Sequence, residues 1–169
     1  MGEAGILGED DRVELIEGEI LEMSPIGRKH VSSVIRLTGI LSRLVADAAL
    51  VSVQNPVQLS DQSEPQPDVA LLRPRPDVYA DREVTAADVL LIIEVADSSE
   101  AYDRQTKAPL YARSGIPELW IVDLIRDHVA LYRHPTNDGF GTTRVTRRGE
   151  SISPLAFPGL TIAVNDILG

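Results

Sequence analysis

The centre of this chain reads QPDVALL (residues 66–72), DVLLIIEVADSS (88–99) and EAYDRQTKAPLY (100–111). The first segment is a short apolar run introduced by Pro67, which is typical of the beginning of a strand. The second has an uninterrupted apolar run before Glu94, the pattern of a strand buried on both faces. The third is predicted to be a helix that folds back over the sheet. These segments carry Asp68, Glu94 and Lys107.

Asp68, Glu94 and Lys107 are chemically suited to act together. A buried carboxylate is costly to desolvate unless a cation or several donors meet it. If the two strands pair, Asp68 approaches Glu94, and a divalent magnesium-like cation is the simplest partner that keeps both ionised. Lys107 could then balance the charge or orient a water for attack on a phosphodiester. Spacing alone, however, favours a simpler interpretation with a strand-edge Asp, a Glu paired with an arginine, and a solvated Lys.

Composition bounds the class of protein. The chain has 169 residues, 43% of them hydrophobic, which predicts one domain over residues 1–169. No apolar run has the length of a membrane span, and the acidic N-terminus MGEAGILGEDDR does not resemble a secretory signal, so we expect a cytoplasmic protein. The absence of cysteine excludes disulfides, thiolate metal sites and a cysteine nucleophile.

The charge balance argues against a broad nucleic-acid surface. Sixteen basic and 26 acidic residues give a net charge of −10, whereas DNA-binding proteins usually have a basic footprint. A nucleic-acid role would therefore need a local patch. The candidates for it, which solvated strand faces explain equally well, are Arg73 and Arg75 near the first acid and Arg126, Arg133, Arg144, Arg147 and Arg148 in the C-terminal third.

The N-terminal third predicts a hairpin and a helix. Alternating apolar and acidic residues over 13–23, with Glu17-Gly18 as the turn, predict a β-hairpin, and this pattern places Glu14 on a solvated face. His30 begins the helix predicted over 28–48, where it could line a site or serve as a cap or packing residue. The apolar stripe of this helix is predicted from Val31, Val34, Ile35, Leu41, Leu44, Val45 and Ala48.

The remaining elements alternate around a sheet. We predict strands over 50–59, 68–72, 117–123, 128–133 and 140–148, with Trp120 and Tyr132 as packing residues, then a last short strand and a helical turn. The loop 73–88 is long enough to act as a flap over the region between the two acids. This order predicts an α/β fold with a mixed sheet flanked by helices.

The helix predicted from Ser98 and Ser99 to Ser114-Gly115 contains a proline. Pro109 requires either a kink or a helix that begins near Thr106. Asp103, Lys107 and Tyr111 share a face only if the helix is continuous.

Five segments resemble a known family. They are VELIEGEI (13–20), QPDVALL, LLIIEVADSS (90–99), YDRQTKAPLYARSGIPELWIVDL (102–124) and LAFPGLTI (155–162). Together they resemble the Uma-two group of endonucleases in the restriction-endonuclease-like PD-(D/E)xK superfamily. The resemblance implies a restriction-endonuclease-like mixed β-sheet core flanked by α-helices, with an N-terminal β-hairpin.

The resemblance also implies a catalytic set. Asp68 matches the acid of the PD element and Glu94 the second acid, both as ligands of Mg²⁺ or Mn²⁺. Ala96 stands where the superfamily lysine is expected, and the resemblance implies that Lys107 replaces it from the next helix. It further implies an endonuclease that hydrolyses nucleic acid, with DNA as the expected substrate and Lys107 orienting the attacking water. Other matching positions expected to line the cleft are Glu14, His30, Asp103 and Tyr111, the last as a support for Lys107.

Two alternatives remain open at this stage. The net charge and the missing in-strand lysine also suit a catalytically inactive nuclease-fold protein that binds nucleic acid or a protein partner. The exposed hairpin could pair with a second copy in a homodimer, which is compatible with cleavage.

Overall fold

A computed structural model describes residues 12–23 and 25–169. The acidic N-terminal segment on which the cytoplasmic expectation partly rests lies outside these residues. The chain begins with the predicted hairpin of β1 (Val13–Ile16) and β2 (Glu19–Glu22), with Gly18 at φ +84° in its turn. This hairpin is a sheet of its own and does not extend the main sheet.

Helix α1 (Arg28–Val45) follows, and a 3₁₀ turn (Ala46–Ala48) ends it. Its buried face contains Val34, Leu37, Leu41 and Val45, together with Ser33. The predicted stripe is wrong at its beginning, because Val31 and Ile35 are 43% and 67% exposed. Leu37 is fully buried, and the face that it forms with Val34 and Leu41 lies roughly a quarter of a turn around the helix axis from Val31 and Ile35.

A six-stranded mixed sheet forms the centre of the fold. Its strands lie in the order β3 (Leu50–Val53), β4 (Val69–Leu72), β5 (Val89–Ala96), β6 (Glu118–Asp123), β7 (His128–Thr136) and β8 (Gly139–Arg147). Strands β5 and β6 are parallel, and all other neighbours are antiparallel. The predicted mixed sheet is therefore confirmed, although the strand predicted over 50–59 is shorter.

The segment 100–113 is one continuous helix with a wide turn in its middle. It consists of α2 (Glu100–Tyr102), a π turn (Asp103–Lys107) and α3 (Ala108–Arg113). Pro109 cannot donate a backbone hydrogen bond, and its ring would crowd the carbonyl four residues earlier. The turn before it closes from the Ala108 N–H to the Asp103 carbonyl, which accommodates the proline. The alternative start near Thr106 is therefore wrong.

The C-terminal end closes one side of the sheet. Gly115, at φ +78°, supplies the left-handed residue that follows α3. Strands β9 (Ser151–Ile152) and β10 (Ile162–Ala163) then pair, and α4 (Val164–Leu168) packs near α1. These elements confirm the last short strand and the terminal helical turn.

Strand β5 is buried on both faces, as predicted. Leu91, Ile93 and Val95 belong to the core beneath α1 and α4. Ile92 and Ala96 belong to the opposite core beneath α3, so Glu94 lies on that second face. Trp120 and Tyr132 pack in the core, also as predicted. No helix in the described part of the chain is both long and apolar enough to cross a membrane.

Candidate active site

The predicted acids and lysine meet in one cavity of about 440 Å³. The hairpin, the first turn of α1, the adjoining ends of β4 and β5, and the π turn form its wall. The predicted residues that line it are Glu14, His30, Asp68, Glu94, Asp103 and Lys107. The simpler interpretation is wrong, because Lys107 is 4% exposed and contacts Glu94 where an arginine was expected.

Strand pairing brings Asp68 and Glu94 together. In the antiparallel ladder of β4 and β5, Val69 is opposite Ile93. The next position along each strand is Asp68 on one and Glu94 on the other, so the acids lie at the same end of the ladder. Both side chains are buried.

Asp68 is held by donors from three parts of the chain. Its Oδ2 accepts the Val95 N–H at 2.8 Å and lies 3.0 Å from His30 Nε2. Its Oδ1 accepts a hydrogen bond from Gln54 Nε2 at 3.3 Å. These contacts orient a carboxylate that keeps acceptor capacity for a cation, since a carboxylate offers about four acceptor positions.

Glu94 uses one oxygen for the protein and leaves the other free. Its Oε1 accepts the Tyr111 hydroxyl at 2.6 Å and lies 3.2 Å from Lys107 Nζ. No described residue donates a hydrogen bond to its Oε2, which leaves that atom for a ligand. Burial raises the pKa of Glu94 to about 8, with the Lys107 charge acting in the opposite direction.

Lys107 is a buried ammonium between two carboxylates. Its Nζ lies 2.8 Å from Glu14 Oε1 and 3.2 Å from Glu94 Oε1. Burial alone would lower the pKa of Lys107, but the charges of Glu94, Glu14 and Asp103 outweigh it and raise the pKa above its usual range. The amine is therefore protonated at neutral pH and acts as a fixed positive charge.

The π turn and α3 present further polar groups to this site. Asp103 is buried, and its Oδ2 accepts the Ser99 hydroxyl at 2.8 Å. Burial raises the pKa of Asp103 to about 6, opposed by the charge of Lys107. Tyr111 was predicted to support Lys107. It is fully buried and donates a hydrogen bond to Glu94, so it supports the acid instead.

Glu14 and His30 both belong to the cavity. The solvated position that the hairpin pattern predicts for Glu14 is wrong, since this residue is 4% exposed and meets Lys107. An alternating pattern predicts that a polar residue of a strand is solvated, unless another element covers that face. Here the π turn covers Glu14. His30 Nε2 contacts Asp68, while its Nδ1 is buried without a partner among the described residues.

Sequence reasoning missed Tyr102 and Gln54. Tyr102 lines the cavity, and its buried hydroxyl has no partner within the described chain. Its place directly before Asp103 in the YDRQTK segment is the only signal that could have indicated it. Gln54 bonds to Asp68 from the end of β3, and nothing in its sequence surroundings pointed to this contact.

The loop 73–88 does not cover the site, so its predicted role as a flap is wrong. No residue of this loop lines the acidic cavity. Its middle, at Val78, Tyr79 and Arg82, instead lines a separate cavity beside β3. The loop is tied down by ion pairs such as Arg82 to Asp88 at 2.6 Å.

The candidate basic patch is largely neutralised by acids. Arg126 lies 2.9 Å from Glu100 and 3.0 Å from Asp123, and Arg133 lies 2.7 Å from the buried Glu118. The other pairs are Arg75 with Asp77, Arg144 with Glu150 and Arg148 with Asp127. These arginines therefore do not form an unneutralised track for phosphates.

The donor set at the cavity suits a hard divalent cation. Within residues 12–23 and 25–169, no three His, Cys, Asp or Glu side chains are arranged as a complete metal site. Mg²⁺, however, is usually held by one or two carboxylates together with water and substrate phosphates. Asp68 and the free Oε2 of Glu94 match that requirement, so the residues present fit the ion.

Comparisons with known proteins agree with this architecture. The sequence model of the Uma2 family, described as "Putative restriction endonuclease", matches residues 4–165. Among solved structures, the chain is similar to "a putative nuclease belonging to DUF820 from Anabaena variabilis ATCC 29413", with a TM-score of 0.76 and 17% identity. That match covers 98% of this chain and 94% of the other, and confirms the predicted fold. A search among curated proteins found no match.

Proposed function

This chain belongs to the Uma2 family, and on that basis we propose that it is a metal-dependent endonuclease that hydrolyses phosphodiester bonds of nucleic acid, with DNA as its substrate. The observation that carries the proposal is the convergence of Asp68, Glu94 and Lys107 on one cavity, with Lys107 Nζ 3.2 Å from Glu94 Oε1. The amine reaches the acid from the next helix, which compensates for Ala96 in the strand.

Asp68 and Glu94 would hold Mg²⁺ or Mn²⁺, which when bound supplies Lewis-acid activation of the phosphodiester and of water. The protein's own contribution is to hold these acids in place. His30, Gln54 and the Val95 N–H orient Asp68, while Tyr111 and Lys107 both hold Oε1 of Glu94.

Lys107 supplies a fixed positive charge at the reacting phosphate. Its ammonium has three N–H donors, and the carboxylates of Glu14 and Glu94 are in reach of two of them. The remaining donor can orient the attacking water or stabilise charge on the phosphoryl oxygens in the transition state. Because the pKa of Lys107 is raised by its acidic neighbours, this residue acts as an electrostatic group and not as a general base.

The proposed reaction is tested by nicking of supercoiled plasmid DNA with Mg²⁺ or Mn²⁺, with and without EDTA, beside single-stranded DNA and RNA of equal length. D68N, E94Q and K107M should each lower the cleavage rate at least about 100-fold. D77N, which changes an acid on the loop 73–88, should cleave like the wild type. Retention of the folded state is checked by circular dichroism, since K107M leaves Glu14 and Glu94 without their cation.

Manganese titration by calorimetry provides a second measurement. The wild type should bind Mn²⁺, and D68N should bind it at least about tenfold more weakly. Wild-type protein that neither binds Mn²⁺ nor cleaves any of the three nucleic acids would rule out the endonuclease.

The neutralised arginines favour a second candidate, a nuclease-fold protein that binds a protein partner without cleavage. It would be expected to retain its fold and to show no metal-dependent nicking, so the same assays separate the two.

The proposal further includes a cytoplasmic location and a homodimer. The outer edge of β2 pairs with no described strand and Ile20 on it is 43% exposed, which supports pairing with a second copy. Light scattering tests the dimer.

A further inference from the structure

One oxygen atom of Glu14 connects the two halves of the candidate site. Glu14 Oε1 accepts the backbone N–H of Gln66 at 2.8 Å, and it also lies 2.8 Å from Lys107 Nζ. Gln66 precedes the Pro67-Asp68 pair, whereas Lys107 belongs to the π turn. The carboxylate therefore joins the strand entry that carries one acid to the helix that carries the amine.

The hairpin that carries Glu14 is attached to the rest of the chain independently of this contact. Leu15 exchanges backbone hydrogen bonds with Glu64, at 2.7 Å and 3.4 Å, and the Gly18 N–H bonds to the Gln62 carbonyl at 2.8 Å. Glu17 adds an ion pair to Arg113 of α3 at 2.6 Å. Because these contacts hold β1 in place, the Glu14 side chain starts from a fixed backbone.

Lys107 needs more than one contact to have a defined position. Its ammonium is a point charge at the end of a flexible four-carbon stem. Glu94 is one contact at 3.2 Å, and Glu14 is the closer one at 2.8 Å. Two carboxylates on different elements, the hairpin and β5, restrict the amine to the space between them. Without Glu14, the amine would lose the closer of these two charged contacts.

We propose that Glu14 is a positioning residue for the cleavage reaction, holding the Lys107 ammonium beside Glu94 in the cavity. This inference rests on the proposed function for its catalytic consequence. The contact itself is a property of the metal-free protein and is tested there first.

The chain provides its own control for a chemical test, because its lysines are Lys29, which is exposed, and Lys107, which is buried. Metal-free protein is treated briefly with an amine-acylating reagent, and the modification of both residues is followed by peptide mass spectrometry. In the wild type, Lys107 should react far more slowly than Lys29. In E14A and E14Q the ratio of Lys107 to Lys29 modification should rise at least about fivefold, because Lys107 loses one charge-assisted contact.

E19Q is the matched control, since Glu19 lies on the same hairpin, is exposed and does not line the cavity. It should leave the ratio unchanged. E14Q keeps an acceptor for the Gln66 N–H and is the variant most certain to keep the hairpin folded. Equal Lys107 modification in the wild type and in both Glu14 variants would overturn the positioning role.

Kinetics with Mn²⁺ then separate positioning from binding. E14Q should lower kcat about 10- to 100-fold, while KM and the Mn²⁺ dissociation constant stay within about twofold of the wild type. A kcat within twofold of the wild type, or a change in KM alone, would contradict the inference. If the wild type neither cleaves nor binds Mn²⁺, the proposed function fails, whereas the acylation ratio still reports on the contact between Glu14 and Lys107.

Discussion

Tyr111 donates a 2.6 Å hydrogen bond to the same oxygen of Glu94 that faces Lys107, and both partners are almost completely buried. One carboxylate oxygen is thereby fully engaged and the other is available to a ligand. Tyr111 thus determines which oxygen of Glu94 is available to a ligand in the cavity.

Y111F should destabilise the protein by about 1–3 kcal/mol, because it removes a donor from a buried carboxylate. Urea denaturation in EDTA measures this change. Y132F is the matched control, since the Tyr132 hydroxyl makes no hydrogen bond to a described side chain, and it should cost less than about 0.5 kcal/mol. Equal losses in the two variants would show that the Tyr111 hydroxyl does not support Glu94.

E94Q should remove a pH-dependent loss of stability. Burial raises the pKa of Glu94 to about 8 from an ordinary value of 4.5, so the folded protein binds this proton more tightly than the unfolded chain. The contribution of Glu94 to stability therefore falls as the pH rises from about 4.5 to about 8.

At pH 8 in EDTA, E94Q should be more stable than the wild type by roughly 1–3 kcal/mol, and at pH 5 the two should be similar. Urea denaturation at both pH values, with E19Q as a surface control, measures this difference. Parallel pH profiles for E94Q and the wild type would show that burial does not raise the pKa of Glu94 in the folded protein.

Deletion of the exposed Gln105 should convert the π turn into an α-helical turn. One residue corresponds to about 100° of α-helix rotation, so α2 and Asp103 would rotate relative to α3, where Leu110 and Ala112 are held in the core. We expect helical circular dichroism to persist while metal-dependent cleavage falls at least about tenfold. Q105A, which keeps the length, should cleave normally. Unchanged cleavage after the deletion would mean that the π turn does not place the site residues.

D88N should destabilise the loop 73–88. Hydrogen bonds from Arg82 at 2.6 and 2.7 Å, together with those from Thr85, hold the pKa of Asp88 well below its usual range. A lowered pKa in the folded state means that the stabilisation is present above about pH 4 and is lost as the pH falls further.

At pH 7 the cost of D88N should be about 1 kcal/mol after solvent screening, because Arg82 is partly exposed. The difference from the wild type should shrink as the pH falls below about 4. Urea denaturation at pH 7 and at low pH measures both. D77N, on the surface of the same loop, should have the smaller effect. A D88N cost that is equal at both pH values would show that the charge of Asp88 does not stabilise the loop.

Local patterns were sufficient for most of the secondary structure. The turn at Gly18, the buried run before Glu94 and the strands around Trp120 follow from periodicity and turn residues, and the structure has each of them. The stripe of α1 was wrong at its beginning, since Val31 and Ile35 are apolar residues that packing leaves exposed. The π turn was not predicted, because Pro109 indicates an irregularity in the helix without specifying its form.

The principal residues of the site could be predicted from the sequence, since Asp68, Glu94 and Lys107 lie in recognisable segments. Their environment could not be. Which acid meets the amine, which oxygen stays free and whether Glu14 faces water depend on strand register, on the extra residue in the π turn and on the packing of the hairpin. These are contacts between residues far apart in sequence, and burial, which sets the protonation and orientation of the side chains, exists only once those elements have come together.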